Sequence, residues 1–338
     1  MDYTEAYRIV DKRRDKFAEI IEKHFPNLFE AKERESYSGG MLTAELSESN
    51  EPFKNTPYFF NEEMSFVHWT SIENLLSIIN YREIRLYNLN SSKDPLELEY
   101  SAKIFKVEEQ DIANLKYHNF TFSFCKSSDL KNPYLWKHYG NDFKGVAIKF
   151  SIVNDPLKWQ KYILSKIYYD IPEAFDKFLK EVEEFEKQEG TGVIARLKLD
   201  KLYGFHKQKS YEGENEIRLS ILHPFDFTQE YQKHSKMDWR IDGQRNRITK
   251  YISLPLWVDN DKVAKDREKP ELDLISPFDD SHFIDKPKLK IENIYFGKNC
   301  GLGIEEFGVF TNELKELIDL SFGYRLDDLG PNLYDTAE

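Results

Sequence analysis

From residue 59 onward, short runs rich in β-branched and aromatic residues alternate with longer amphipathic stretches, and this alternation constrains the fold more than any other feature. The β-type runs cover residues 64–69, 83–89, 120–125, 145–151, 162–169, 215–222, 251–256 and 289–297. The helical stretches cover residues 71–81, 95–106, 172–189 and 303–320. Strand and helix patterns mixed in this way predict an α+β domain.

The chain before this domain has a different pattern. Apolar residues recur at helical spacing over residues 4–24 and Pro26 follows, so the sequence predicts an N-terminal helix. The polar segment 31–57 contains Gly39-Gly40 and predicts a linker or mobile arm. We therefore expect an N-terminal helix and linker over 1–55 and an α+β domain over 56–338, with an insertion loop near 258–290 that is rich in Asp, Lys and Pro.

The composition excludes several classes of protein. No apolar run approaches the length of a membrane span, and the charged N-terminus lacks the apolar core of a secretory signal, so we expect no membrane partner and a cytoplasmic location. The two cysteines, Cys125 and Cys300, are far apart and predict neither a disulfide framework nor a zinc site. A net charge of −12 argues against broad nucleic-acid binding, although a local basic patch could override it.

The common catalytic and phosphate-binding motifs are absent from the sequence. There is no G-x-G-x-x-G after a strand, no G-x-x-x-x-G-K-[ST], no H-E-x-x-H and no G-x-S-x-G. There is also no clustered set of His, Cys and Asp ligands, so we expect catalysis without a metal. The candidate residues are therefore scattered polar side chains next to aromatic ones.

Two candidate groups lie early in the domain. His68 lies on the strand predicted for 64–69, and Thr70-Ser71 supply hydroxyls suited to cap the next helix. Tyr87 ends the following predicted strand, and Tyr100 lies on the helix after it. A strand histidine is often an ordinary core or surface residue, and hydroxyls are what any helix start needs, so each group also has a purely structural interpretation.

Two further groups lie later in the chain. Trp136, His138 and Tyr139 predict either a packed aromatic corner or the wall of a pocket. Glu214, Glu216 and Arg218 alternate, so on a strand their side chains share one face. Two adjacent carboxylates repel each other and raise one pKa unless a cation or ligand compensates, so this group favours a site over a solvent-facing strand edge.

The order of these motifs resembles the bacterial domain-of-unknown-function family number 2971. The resemblance spans roughly residues 64–300 and departs from the family pattern in two places, where Tyr211 replaces a tryptophan and Lys93 replaces an asparagine. The matching residues are His68-Trp69-Thr70-Ser71, Asn90, Asp94-Pro95, Glu97, Ser123-Phe124, Leu135-Trp136, His138-Tyr139, Lys207, Tyr211, Glu214, Glu216, Arg218, Ile291, Ile294 and Gly297.

A second, more distant resemblance is to the H-Y-E type of ADP-ribosyltransferases. His68 followed by a hydroxyl residue, the tyrosines Tyr87 and Tyr100, and a late strand glutamate are similar to that arrangement. The resemblance implies a split antiparallel or mixed sheet that binds NAD without Rossmann glycines. The expected fold is therefore an ADP-ribosyltransferase-like α+β domain with an N-terminal helical extension.

The same resemblance implies a chemistry. Cleavage of the nicotinamide–ribose bond passes through an oxocarbenium-like state, which Glu216 would stabilise, while Glu214 would orient the acceptor or accept its proton. Tyr87 or Tyr100 would stack on the nicotinamide, and His68 would donate a hydrogen bond to a ribose hydroxyl. The remaining residues expected around NAD are Thr70, Trp136, His138, Tyr139 and Arg218, the last paired with a neighbouring carboxylate.

The segment 196–211 interleaves basic and aromatic residues, which suits a nucleic-acid acceptor with stacked bases. By the resemblance, this segment would select the acceptor, whether nucleic acid or protein; an exposed amphipathic helix is the alternative. The expected function is an NAD-consuming transferase, either a toxin or an antiphage defence effector. The alternatives are a nuclease or other hydrolase that uses His138 with Glu214 and Glu216, and a non-catalytic module that binds a nucleotide or a partner.

Overall fold

The structure is a computed structural model. It describes residues 3–34, 41–47, 49–92, 94, 97–189, 196–223, 236–242, 247–257, 283, 285–301, 306 and 308–314. Within these residues, none of the helices combines the length and the apolar character needed to cross a membrane.

Helices and strands alternate along most of the chain. The helices are α1 (Tyr3–His24), α2 (Ile72–Tyr81), α3 (Glu97–Ile104), α4 (Glu109–His118), α5 (Pro133–His138) and α6 (Glu173–Glu189). The strands are β1 (Phe29–Arg34), β2 (Met41–Leu46), β3 (Ser65–Thr70), β4 (Glu83–Asn88), β5 (Asn119–Lys126), β6 (Val146–Ile152), β7 (Tyr162–Lys166), β8 (Arg196–Lys198), β9 (Ile217–Leu222), β10 (Lys236–Asp242), β11 (Arg247–Pro255) and β12 (Leu289–Phe296). The predicted α+β class is confirmed.

Each β-type run predicted from the sequence forms a strand, and the first three predicted helical stretches form α2, α3 and α6. Residues 308–314 are helical as expected, while much of the remaining 303–320 stretch lies outside the described residues. The same is true of residues 258–282 in the predicted insertion loop. The sequence patterns missed α4 and α5, because one has few apolar positions and the other is only six residues long.

The predicted linker contains secondary structure. β1 and β2 form an antiparallel pair, and β2 continues into a parallel pairing with β8, so these strands make a small separate sheet. β2 is paired on both edges although it is only six residues long, so residues 41–46 form a strand and not the linker or mobile arm that the sequence predicted.

The large sheet is antiparallel and curled around one hydrophobic core. Its path runs β10-β11-β4-β5-β3-β6-β12, and β9 pairs with both β5 and β7. The core between this sheet and α2 contains residues from almost every strand, among them Phe66, Leu86, Phe122, Leu219 and Ile252. The strand β5 holds this arrangement together, since it pairs with β3, β4 and β9.

The N-terminal helix packs on α6 through aromatic side chains. Phe17 stacks on Phe185 with ring centroids 5.6 Å apart, and Phe25 packs edge-on against Phe178 at 5.3 Å. These rings belong to a second core cluster that also contains Phe205. The helix therefore shares a core with later parts of the chain, while a domain boundary at residue 55 stays a prediction.

Removing one of these rings tests how far the second core contributes to stability. Phe17 is completely buried, so we expect Phe17→Ala to lower the free energy of unfolding by about 3–5 kcal/mol. The measurement is urea denaturation followed by circular dichroism. Lys12→Ala, at an exposed position of the same helix, is the control and should change stability by less than about 0.5 kcal/mol. A small effect of Phe17→Ala would show that α1 docks only weakly.

Candidate functional site

The large sheet divides where β3 and β4 pair with different parts of β5. Tyr87 on β4 lies opposite Thr121, whereas Val67 on β3 lies opposite Cys125. Residues 122–124 lie between these two pairings and pair with β9. Both strands run antiparallel to β5, and α2 connects the end of β3 to the start of β4. These two strand ends separate from β5 and enclose a space next to α2.

A cleft of about 940 Å³ occupies this space, which is within the size range of small-molecule sites. β3 contributes His68 and Thr70 to its lining, and β4 contributes Tyr87. Glu214 and Tyr139 line it from later segments of the chain. Five of the residues selected from sequence thus meet around one cleft, and Arg218 also contacts it.

His68 binds to β5 at the point of divergence. Its Nδ1 lies 2.9 Å from the carbonyl oxygen of Ser123, and its ring packs against Phe122 with centroids 4.4 Å apart. A carbonyl only accepts, so Nδ1 carries the proton and Nε2 is left as an acceptor. Burial lowers the pKa of His68 to about 4, so the ring is neutral at physiological pH. In this tautomer the free Nε2 accepts a hydrogen bond, whereas the contact expected from the sequence needs a donor; the contact of His68 with a ribose stays a prediction.

The hydroxyls after His68 hold the start of α2. The Oγ of Ser71 accepts a hydrogen bond from the backbone N–H of Asn74 at 3.2 Å and so caps the helix. Thr70 Oγ1 accepts from the side-chain amide of Asn74 at 3.0 Å. The cap predicted from the sequence is confirmed for Ser71, while Thr70 anchors the same turn through a side chain.

Three glutamates and two cations form a buried cluster at the cleft. Lys207 Nζ lies 2.8 Å from Glu214 Oε2 and 2.5 Å from Glu216 Oε2. Arg218 Nε donates to Glu216 Oε1 at 2.8 Å, and its Nη2 binds Glu97. With all five groups ionised the cluster has a net charge of −1.

The backbone that brings these side chains together differs from the prediction. Residues Lys209–Glu214 form a short 3₁₀-helix, Asn215 follows in the left-handed conformation with φ 46°, and β9 begins only at Ile217. The expectation that Glu214, Glu216 and Arg218 share one strand face is wrong. The two carboxylates meet instead through Lys207, which binds both.

The two carboxylates have different surroundings. Glu216 lies behind the cleft lining and accepts from Ser123 Oγ at 2.5 Å as well as from both cations. Burial alone would raise the pKa of Glu216, but Arg218 and Lys207 outweigh that effect and lower it to about 2. Glu214 reaches the cleft lining and also accepts from the hydroxyl of Tyr139. Of the pair, Glu214 is the carboxylate placed to meet a ligand.

Three other residues selected from sequence lie away from the cleft lining. The hydroxyl of Tyr100 donates to the Tyr169 carbonyl at 3.4 Å. Trp136 is buried, and its Nε1 donates to the Leu130 carbonyl at 2.6 Å. His138 is exposed, with its ring 4.4 Å from that of Tyr134. Trp136 therefore belongs to a packed aromatic corner, one of the two interpretations that the sequence allowed.

The cleft also contains residues to which the sequence assigned no role. Glu97 and Lys207 belong to the motif order of the resembling family, so that order was a usable signal for them. Arg85 and Arg240 also line the cleft, and no sequence pattern identified them. They lie on β4 and β10, which come together only because β11 pairs with both.

Several side chains of the basic and aromatic segment 196–211 are buried or bound to other parts of the chain. Tyr203 and Phe205 are buried, Lys198 pairs with Glu45, and Lys201 donates to the Ser47 carbonyl at 2.9 Å. Buried rings do not stack on bases, so this segment presents fewer aromatic groups than its composition suggested. Its role in choosing an acceptor stays a prediction.

Comparison with known proteins gives one match. A family model described as protein of unknown function (DUF2971) matches residues 135–219. The match supports the resemblance to that family over a segment that includes Tyr139, Lys207, Glu214, Glu216 and Arg218. No curated protein and no solved structure matches the chain.

The arrangement offers two hydrogen-bond acceptors to a ligand: the neutral imidazole of His68 on β3 and the carboxylate of Glu214 ahead of β9. Among the residues that the structure describes, no group of three or more His, Cys, Asp or Glu side chains is placed to hold a metal ion. A sugar hydroxyl is the kind of donor that both groups can bind.

The buried cluster makes a testable contribution to stability. Arg218→Met removes the cation between Glu97 and Glu216 while keeping much of its apolar stem, so it leaves buried carboxylates unpaired. We expect it to lower the free energy of unfolding by about 3–5 kcal/mol in chemical denaturation. Adding Glu97→Gln removes one of those charges and should recover part of the loss. Strict additivity of the two substitutions would contradict the coupling.

His68 should make stability depend on pH. Its folded-state pKa of about 4 lies below the usual value of 6.5, so the unfolded chain binds the proton first. The contribution of the neutral ring is complete above about pH 6.5 and is lost as the pH falls towards 4. We expect the unfolding free energy to decline less steeply over this range in His68→Asn than in the native sequence. Equal slopes would show that His68 titrates normally.

Proposed function

We propose that the protein is an ADP-ribosyltransferase-like enzyme that cleaves the nicotinamide–ribose bond of NAD and transfers ADP-ribose to a macromolecular acceptor. One observation carries the proposal: His68, Tyr87 and Glu214, which are far apart in sequence, line one cleft where β3 and β4 diverge from β5. The resemblance to the H-Y-E transferases implied a split antiparallel or mixed sheet that binds NAD, and the divergence of β3 and β4 from β5 supports that expectation.

The proposal assigns a role to each wall of the cleft. His68 accepts a hydrogen bond from a ribose hydroxyl through Nε2, because its Nδ1 proton is held by Ser123. Glu214 stabilises the positive charge that develops on the ribose as the bond to nicotinamide breaks. Each carboxylate oxygen can accept more than one hydrogen bond, so Glu214 can bind a ribose hydroxyl while it accepts from Tyr139 and Lys207.

Glu214 therefore takes the catalytic role that the sequence assigned to Glu216. Glu216 becomes a positioning residue, since it binds Lys207 and Ser123, the residues next to Glu214 and His68. Of the two tyrosines expected at the nicotinamide, Tyr87 lines the cleft and Tyr100 does not, and Tyr139, whose hydroxyl donates to Glu214, supplies a second ring there. The net negative charge of the cluster suits both the cationic nicotinamide ring and the developing oxocarbenium ion.

The proposal also includes an acceptor, a protein or a nucleic acid, and a role as a toxin or antiphage effector that rests on the resemblance alone. The nuclease alternative gains no support from geometry, because His138 lies away from the cleft lining that holds Glu214. The binding-module alternative keeps the same cleft and differs only in lacking turnover.

The decisive experiment is incubation of the pure protein with NAD and measurement of free nicotinamide. Glu214→Gln keeps the shape but removes the charge, so we expect turnover to fall at least about a hundredfold with a native-like fold. Glu212→Gln is the matched control, since Glu212 is exposed two residues earlier, and it should retain full turnover. Glu216→Gln should lose stability as well as activity, because it disturbs both cations.

The same assay separates the alternatives. Labelled ADP-ribose on protein or nucleic acid identifies a transferase and its acceptor, whereas free ADP-ribose alone identifies a hydrolase. Activity should be unchanged by EDTA. No nicotinamide release with any candidate acceptor would overturn the proposed function, and nuclease activity lost in EDTA would replace it.

A further inference from the structure

Two arginines line the cleft beside its tyrosine wall. Arg85 Cζ lies 4.8 Å from the centroid of the Tyr251 ring, and Arg240 Nη1 lies 3.2 Å from the hydroxyl of Tyr87. The Tyr87 and Tyr251 rings are 5.8 Å apart, so both guanidinium groups contact one pair of rings. Strand pairing explains their meeting, since Tyr251 on β11 lies opposite Tyr87 on β4 and opposite Asp238 on β10.

Carboxylates also lie near this pair. Glu83 Oε1 lies 3.1 Å from Arg85 Nε and lines the cleft, as does Glu73. Asp238, two residues before Arg240 on β10, acts electrostatically on the Tyr251 ring. The forked donors of the two guanidinium groups, rather than a net positive charge, are what this part of the cleft offers to an anion. The forked donors of a guanidinium group bind two oxygens of a phosphate or a carboxylate at once, and the phosphates of NAD are the groups that the proposed substrate would bring to them.

The basic part of the cleft lies close to the carboxylate part. Tyr87 pairs with Thr121 on β5, and Ser123, two residues further, donates to Glu216. Two residues of a strand span about 7 Å, which is comparable to the span of a ribose and its 5′-phosphate. The two arginines line the same cleft as Glu214 and His68, so one ligand that fills the cleft can contact both parts.

We infer that Arg85 and Arg240 form a phosphate subsite that selects a nucleoside diphosphate or dinucleotide as the ligand of this cleft. The inference rests on the proposed function for the identity of the sugar end, and it adds a phosphate subsite and the two residues that form it. Tyr87 is a positioning residue in this subsite, since its hydroxyl holds Arg240.

The test is calorimetric binding of ADP-ribose, inorganic pyrophosphate and adenosine to the full chain. We expect Arg240→Gln and Arg85→Gln each to weaken ADP-ribose and pyrophosphate binding by about tenfold or more. Adenosine binding should change little, and added salt should weaken ADP-ribose binding to the native protein. Arg14→Gln, on α1 and away from the cleft lining, is the control. Arg240→Lys, which keeps the charge but loses the fork, should give an intermediate loss.

Each outcome separates this inference from the proposed function. If pyrophosphate binding depends on the two arginines but no nicotinamide is released, the phosphate subsite is supported and the transferase is overturned. Nicotinamide release with an unchanged KM for NAD in both folded arginine variants would overturn the subsite and leave the transferase. A single-stranded oligonucleotide that binds more tightly than ADP-ribose, with the same dependence on Arg240, would overturn the choice of a soluble nucleotide. Circular dichroism checks that Arg85→Gln is folded, and Arg240→Gln alone decides the question if it is not.

Discussion

The site depends on Arg218, whose guanidinium group is almost completely buried and contacts three separate parts of the chain. It binds Glu97 on α3, Glu216 before β9, and the carbonyl oxygen of Gly204, which Nη1 meets at 2.5 Å. A buried charge is tolerated only when it is paired and hydrogen-bonded, so these partners are held near it. Glu216 in turn binds Lys207, and Lys207 binds Glu214 at the cleft, so the position of Arg218 also affects the positions of these side chains.

His68 provides the matching constraint on the other wall. Where a strand leaves its neighbour, backbone groups lose their ladder partners and need others. The imidazole of His68 supplies a donor to the Ser123 carbonyl at that point. Ser123 in turn donates through its side chain to Glu216, so one residue of β5 connects the histidine wall with the carboxylate cluster.

Patterns of apolar and capping residues within short stretches of sequence predicted individual strands and helices, but not how distant strands pair. Strands such as β5 and β12 and helices such as α2 followed from period and capping residues, because a half-buried element must repeat its apolar positions. The weak pattern of β2 did not reveal its pairing with β8, which depends on residues much later in the chain. Likewise Asn215 adopts a left-handed conformation at the end of the 3₁₀-helix Lys209–Glu214, which breaks the expected strand.

The same division applies to the site. His68 and Glu214 were selected from the sequence by their motifs, but the sequence did not distinguish Glu214 from Glu216, because that depends on which of the two reaches the cleft lining. Arg85 and Arg240 carry no local signal at all, since only the register of β11 between β4 and β10 brings them to one cleft.

The order of these elements along the chain has a consequence during synthesis. The walls β3 and β4, with α2 between them, form one continuous stretch from Ser65 to Asn88, whereas the charged cluster is completed only by Lys207 and Arg218. A ribosome releases the residues of both walls long before it releases the two cations of the cluster. A nascent chain that ends before Lys207 therefore contains the wall residues but neither cation that binds Glu97, Glu214 and Glu216, so the cluster can assemble only after residue 218 has been made.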